Sequence, residues 1–156
     1  MNIVITPPTG HTNISPIGFH GYASQFADSA LSARSRLANG FSPVPYFLYC
    51  RSLELVLKAY LLARGVTKAE LKRKFRHDLC RVFTEAKNRG LAVEVPISSE
   101  WEAEIGKANL YYNGKGFEYF EVGNAVRGYP NLPSLDTLAQ MCSTLLRGVA
   151  QTCLNA

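Results

Sequence analysis

The length and composition of the chain are those of a globular protein with one domain. Its 156 residues are 47% hydrophobic and 19% charged, which is enough apolar material for a core and excludes a disordered chain. No run of about 18 apolar residues occurs, and residues 1–16 lack a basic leader followed by an apolar stretch. We therefore expect neither a membrane span nor a secretion signal.

The charge of the chain is unevenly distributed. The net charge is +5, but residues 64–89 hold nine Lys and Arg against three acids, whereas residues 94–121 hold six Glu against two Lys. A basic segment beside an acidic one favours an anionic partner or head-to-tail self-association. A solvated helix face is the alternative interpretation.

The first half of the chain predicts an arm and two long helices. Residues 1–17 are rich in Pro, Thr and Gly and predict an extended N-terminal arm, which leaves residues 18–156 as a single domain. Apolar residues at steps of three and four predict an amphipathic helix over 19–37. The next helix, over 45–64, is apolar on nearly all sides. Such a helix belongs at the centre of a bundle or at a dimer interface.

Helix-capping residues predict four further helices. The proposed N-caps are Thr67, Asp78, Ser99 and Ser134. Glu70, three residues after Thr67, and Glu102, three residues after Ser99, complete capping-box patterns. Residues 113–133 contain four Gly and two Pro, which predict an irregular segment or a short hairpin. The predicted fold is an all-α, up-and-down bundle of five to six helices.

The cysteines and histidines do not indicate a metal or cofactor site. The four cysteines, none in a CxxC pair, are Cys50, Cys80, Cys142 and Cys153. They fall at apolar positions of predicted helices and are interpreted as buried, reduced thiols of a cytoplasmic protein. His11 and His20 have no ligand partners at useful spacing. We expect no metal and no cofactor.

The sequence KRKFRHD at 72–78 is the first candidate site. Cationic neighbours favour the neutral imidazole of His77, which is the form a general base needs. Lys72, Arg73 and Arg76 are suited to hold a phosphate. Together they provide a base for a ribose 2′-hydroxyl and cations for the phosphorane of RNA cleavage. The alternative is a helix start capped by Asp78, in which His77 only makes a local hydrogen bond.

Two further sets of residues are candidates. Aromatic residues of 111–129 are interleaved with Lys115 and Arg127, a pattern that can stack bases and contact phosphates. The favoured alternative is that these rings cover the edge of the bundle. The second set is the charged stripe of the 45–64 helix, formed by Arg51, Glu54 and Lys58. It is either part of a site between helices or a structural ion pair, and the ion pair is favoured.

The order of these motifs resembles HEPN-like helical domains over roughly residues 20–150. Some prokaryotic members pair a central E-xxx-K-A helix with an H-D-L helix start and a later R-Y-P-like element. The matching residues here are Glu54, Lys58 and Ala59, then Arg76, His77, Asp78 and Leu79, then Arg127, Gly128, Tyr129 and Pro130. The resemblance implies a four- or five-helix bundle, commonly dimeric. Many members are metal-independent ribonucleases of toxin–antitoxin or phage-defence systems.

We therefore predict a domain that binds RNA or a nucleotide and, if it is active, cleaves RNA without a metal. We also expect a homodimer that forms through the apolar second helix or its neighbouring helices. His77 is the expected general base. The expected phosphate contacts are Lys72, Arg73, Arg76 and Arg127, and the supporting residues are Arg51, Glu54, Lys58, Asp78 and Tyr129. The alternative is a non-catalytic dimeric module that binds a protein, such as an antitoxin or a minimal nucleotidyltransferase.

Overall fold

The computed structural model describes residues 10–37, 40–119 and 122–156, apart from the side chain of Ala125. Regular structure in these residues is entirely helical, so the all-α bundle is confirmed. The helices are α1 Pro16–Ser35, α2 Val44–Ala63, α3 Lys68–Glu70, α4 Leu79–Asn88, α5 Leu91–Glu94, α6 Trp101–Tyr112, α7 Val122–Arg127, α8 Leu135–Gly148 and α9 Ala150–Leu154. A π-helical turn, Leu71–Phe75, follows α3 directly.

Helix α2 lies at the centre of the bundle. Thirteen of its 20 residues are buried, and it packs against α1, α4, α6, α8 and α9 of its own chain. Each fully buried Leu or Val contributes about 1.5–3 kcal/mol. Of the two predicted locations, the structure confirms the bundle centre. Its own chain therefore covers most of α2.

The local helix signals are mostly confirmed. Thr67 forms a complete capping box, and the side chains of Asp78 and Ser134 cap α4 and α8. The predicted cap at Ser99 is wrong, because α6 begins at Trp101 without a side-chain cap. The carboxylate of Glu102, which was expected to complete that box, instead accepts from Lys87 Nζ at 3.0 Å. A contact between helices thus replaces a local one.

The ends of the domain differ from prediction in two ways. Helix α1 begins at Pro16, so the described part of the predicted arm ends two residues earlier than expected, at Ser15. Residues 1–9 lie outside the described residues. The single predicted C-terminal helix is two helices, α8 and α9, which meet at Val149. At the end of α8, a Cβ atom on Gly148 would lie 2.5 Å from Val95 Cγ2, so this close approach needs glycine.

The segment 113–133 is irregular, as predicted. Its described residues, 113–119 and 122–133, form turns and the short helix α7, with no strand. The hairpin alternative is therefore not found in them. In the part of the chain that the structure describes, no helix has both the length and the apolar character needed to cross a membrane.

The four cysteines are free thiols. Cys50, Cys142 and Cys153 are buried, and Cys80 is half-buried. Burial raises the pKa of Cys142 to about 12 and that of Cys153 to about 11. These two therefore remain protonated at neutral pH and behave as small apolar side chains.

Candidate functional site

A cleft of about 800 Å³ lies between α2 and the segment that contains α3 and the π-helical turn. Its lining residues are Ile14, Phe19, Arg51, Glu54, Leu55, Lys58, Lys68, Ala69, Leu71, Lys72, Arg73, Arg76 and His77. Two candidate sets that are separate in sequence, the charged stripe of α2 and the basic segment, therefore meet in one place. Seven of the ten predicted site residues line this cleft.

Glu54 is the centre of the polar network in the cleft. Its side chain is 1% exposed, and its Oε1 accepts from Lys58 Nζ at 2.5 Å. Its Oε2 accepts from Arg51 Nη1 at 3.0 Å and from the hydroxyl of Tyr112. A buried carboxylate is stable only when such donors replace water. These contacts explain how α2 carries a charge into the core.

The network keeps Glu54 ionised. Burial by itself would raise the pKa of Glu54, but Lys58, Tyr112 and Arg51 outweigh it and hold that pKa below its ordinary value. For Tyr112, burial and the neighbouring carboxylate raise the pKa well above its ordinary value. Both shifts describe the same arrangement, in which a tyrosine hydroxyl donates to a carboxylate anion.

His77 extends this network to the surface. Its Nδ1 lies 3.2 Å from Glu54 Oε2, and its side chain is 53% exposed. An ionised carboxylate can only accept a hydrogen bond, so in the neutral imidazole Nδ1 carries the proton and Nε2 is the free acceptor. The ring also stands edge-on to Tyr112, with the centroids 6.2 Å apart. The imidazole is thus held in the tautomer that can take a proton at Nε2.

The backbone beside His77 is strained. Arg76 has φ +43° and ψ −114°, a backbone conformation that residues other than glycine rarely adopt. It directly follows the π-helical turn, and the Nζ of Lys58 donates to its carbonyl oxygen. Buried Leu71 and Phe75 anchor the turn in the core. Irregular helical turns and strained residues are concentrated at functional sites.

The cleft has a strong excess of positive charge. Its described lining includes six cationic side chains and one carboxylate, Glu54. Arg51 and Lys58 pair with that carboxylate. The other four cationic side chains are Lys68, Lys72, Arg73 and Arg76. None of them makes an ion pair with a carboxylate of the described residues. Unpaired cations gathered in a concave surface attract an anionic ligand.

Part of the cleft is apolar. Ile14 and Phe19, from the start of the described chain, line it together with Leu55 of α2 and Leu71 of the π-helical turn. Ligand pockets commonly combine an apolar lining with a few charged groups that orient the ligand. This combination suits a ligand that has both a ring and an anionic group.

Three predicted site residues do not line the cleft. Asp78 caps α4, where its Oδ1 accepts from Arg81 N and from Asn109 Nδ2, both at 3.1 Å. Arg127 is exposed at the end of α7. The hydroxyl of Tyr129 donates to the carbonyl oxygen of Gly116 at 3.2 Å. Glu54, another of the predicted supporting residues, contacts His77.

The aromatic candidate site is mainly a packed cluster. Tyr129 lies 5.0 Å from Phe41 and 5.4 Å from Tyr111, measured between ring centroids. Phe117 lies 5.6 Å from Tyr46. These rings pack against one another, which is the alternative that the sequence favoured. Phe120 and Glu121 of this candidate lie outside the described residues.

Sequence reasoning did not connect Tyr112 with Glu54, and it did not place Phe19 or Ile14 in the site. Tyr112 was predicted as one of the aromatic residues of 111–129, and it is buried in α6. Its contact with Glu54 joins residues 58 positions apart, and no short-range pattern indicates it. Searches against protein-family models, curated proteins and solved structures gave no match.

Proposed function

We propose that the cleft binds the phosphate groups of RNA or of a nucleotide, and that His77 is the general base of a metal-independent ribonuclease. One observation carries this proposal: an imidazole oriented by a buried carboxylate shares a cleft with four cations that have no carboxylate partner among the described residues. A carboxylate–imidazole pair is a recurrent arrangement for proton transfer. The cations would stabilise negative charge that develops on a phosphate.

The proposed reaction is an internal transfer in RNA. Nε2 of His77 takes the proton of a ribose 2′-hydroxyl, and the 2′-oxygen attacks the adjacent phosphorus. A bond forms between O2′ and phosphorus while the bond from phosphorus to O5′ breaks, and the departing O5′ takes a proton from the imidazolium. Arg73 and Arg76 would contact the equatorial oxygens of the phosphorane. The apolar lining beside Phe19 would hold the nucleoside ring.

The biological setting remains part of the proposal. Glu54 and Lys58 of the E-xxx-K element line this cleft together with the Arg76-His77 pair of the R-H-D-L element, and both elements underlie the resemblance to HEPN-like domains. Their meeting supports membership in that family and a role in a cytoplasmic toxin–antitoxin or defence system. A homodimer is also part of the proposal.

The competing proposal is a non-catalytic module that binds a protein, such as an antitoxin or a nucleotidyltransferase. Exposed apolar residues favour it, because Val122 and Val126 of α7 are 85% and 83% exposed and Leu110 is 71% exposed. Salt dependence separates the two proposals. Contacts with several phosphates make RNA affinity fall steeply as salt rises, whereas a partner held by apolar contacts gives a nearly flat response.

The decisive experiment is RNA cleavage by the purified protein in EDTA, with the wild type compared with His77→Ala. We expect cleavage by the wild type only and RNA binding by both, because the His77 side chain is half exposed and makes one hydrogen bond. His11→Ala, an exposed histidine outside the cleft, is the matched control and should cleave normally. Cleavage by His77→Ala would refute the assigned base. RNA binding without cleavage would leave a binding role, and no RNA binding would favour the protein partner.

A further inference from the structure

A second basic groove lies beside the cleft. It has a volume of about 410 Å³, and its charged lining consists of Arg73, Lys74, Arg76 and Arg81 with one carboxylate, Asp78. Arg73 and Arg76 line both the cleft and this groove. The two concave surfaces are therefore neighbours, and we call the two arginines that they share the Arg73–Arg76 ridge.

The charges of the groove are only partly neutralised. Lys74 pairs with Glu70 at 2.9 Å. Arg81 lies 3.4 Å from Asp78, but its side chain is 70% exposed. Asp78 Oδ1 already accepts two hydrogen bonds within the fold. Ion pairs this exposed contribute little and exchange readily for another anion. Together with the ridge, the groove keeps an excess of positive charge available to a ligand.

We propose that the groove binds the backbone of a single-stranded polynucleotide that continues from the cleft across the Arg73–Arg76 ridge. This inference rests on the proposed function, and it specifies the substrate class as an oligomer. The cleft by itself is large enough for one nucleotide. Two adjacent cationic surfaces that share two arginines instead match a ligand with successive phosphates, since grooves that follow a strand are built this way.

The chemistry of the two surfaces favours a nucleic acid over an acidic peptide. Arginine provides three of the four cations in the groove, and its planar guanidinium donates two parallel hydrogen bonds to a phosphate. The apolar residues of the cleft, which include Phe19 and Leu71, provide a surface for a nucleoside ring. An acidic peptide has no ring to place there.

The test uses a double variant, Lys74→Gln with Arg81→Gln, which alters the groove and leaves the cleft residues intact. The matched control is Lys87→Gln with Arg89→Gln. It removes the same charge from paired cations near α4 that line neither surface. The probes are a labelled oligouridylate of about eight nucleotides, within the range that a single-strand site covers, and uridine monophosphate. Titrations at several salt concentrations give both the affinity and its salt slope.

We expect the groove variant to bind the oligouridylate at least fivefold more weakly than the control variant does, and to lose roughly one unit of salt slope per phosphate contact removed. Its affinity for uridine monophosphate should equal that of the control. Equal oligouridylate affinities in the two variants would overturn this inference and leave a cleft that binds a nucleotide. Failure of the wild type to bind either probe would overturn both proposals. Equally tight binding of an oligoglutamate of the same charge would overturn the assignment to nucleic acid.

Discussion

The imidazole of His77 lies 3.2 Å from the carboxylate of Glu54, although one side chain is half exposed and the other is 1% exposed. This contact joins the centre of the bundle to its surface. A core ion pair and a surface cleft are consequently one hydrogen-bonded network, and changes in the core affect the orientation of the surface histidine.

Glu54→Gln is expected to destabilise the protein strongly. The substitution leaves Lys58 and Arg51 without their anion, and an amide NH₂ group cannot accept from Tyr112 or His77. Removing one partner of a buried ion pair costs about 3–5 kcal/mol. Urea unfolding at pH 7 measures the loss. Glu70→Gln, in the exposed pair with Lys74, is the control, and an equally large loss there would contradict the special role of Glu54.

The contribution of Glu54 to stability should depend on pH. Since the network lowers the pKa of Glu54 in the folded state from its ordinary value of 4.5, the stabilisation is complete above about pH 4.5. It is lost as the pH falls through the folded-state value. The difference in unfolding free energy between the wild type and Glu54→Gln should therefore shrink on acidification. A difference that grows toward low pH would contradict the lowered pKa.

Arg76→Gly and Arg76→Ala are expected to rank in an unusual order of stability. At positive φ, the steric strain of a Cβ atom lowers the free energy of unfolding by about 1–2 kcal/mol. Glycine avoids that strain but lowers the free energy of unfolding by about 0.5–1 kcal/mol relative to alanine, because its unfolded chain has more conformational entropy. The glycine variant should therefore be the more stable of the two in thermal unfolding. Both variants lose the same guanidinium and should bind RNA equally weakly. A more stable alanine variant would show that Arg76 is not strained in solution.

Gly148→Ala is expected to destabilise the junction of α8 and α9. The added methyl would lie 2.5 Å from Val95 Cγ2 and 3.2 Å from the carbonyl oxygen of Glu94, and such overpacking costs about 1–3 kcal/mol. Gly106→Ala is the control, because that glycine lies in α6 and, apart from its chain neighbours and the nearby backbone of α6, no atom lies within 4 Å of the added position. It should be neutral or stabilising by about 0.5–1 kcal/mol. Equal effects of the two substitutions in denaturant unfolding would contradict the packing.

Much of the fold could be read before the structure was known. The apolar surface of α2 indicated a central helix, and Thr67, Asp78 and Ser134 marked helix starts that the structure confirms. These signals are local. A cap depends on a side chain and a backbone N–H within one helical turn, and burial on all sides follows from the composition of a single segment. The basic segment at 72–78 was recognisable for the same reason.

The composition of the site depended on tertiary packing. Tyr112 reaches Glu54 because α6 packs against α2. Arg127, which belongs with Glu54 to the motifs behind the resemblance to HEPN-like domains, does not line the cleft. The capping-box pattern at Ser99 did not form, and the carboxylate of Glu102 contacts Lys87 of α4 instead. Such contacts depend on the angle and register at which helices pack. Many side chains from distant parts of the chain jointly determine that angle and register. Local pattern therefore placed the helices, and only their packing decided which charged groups share the cleft.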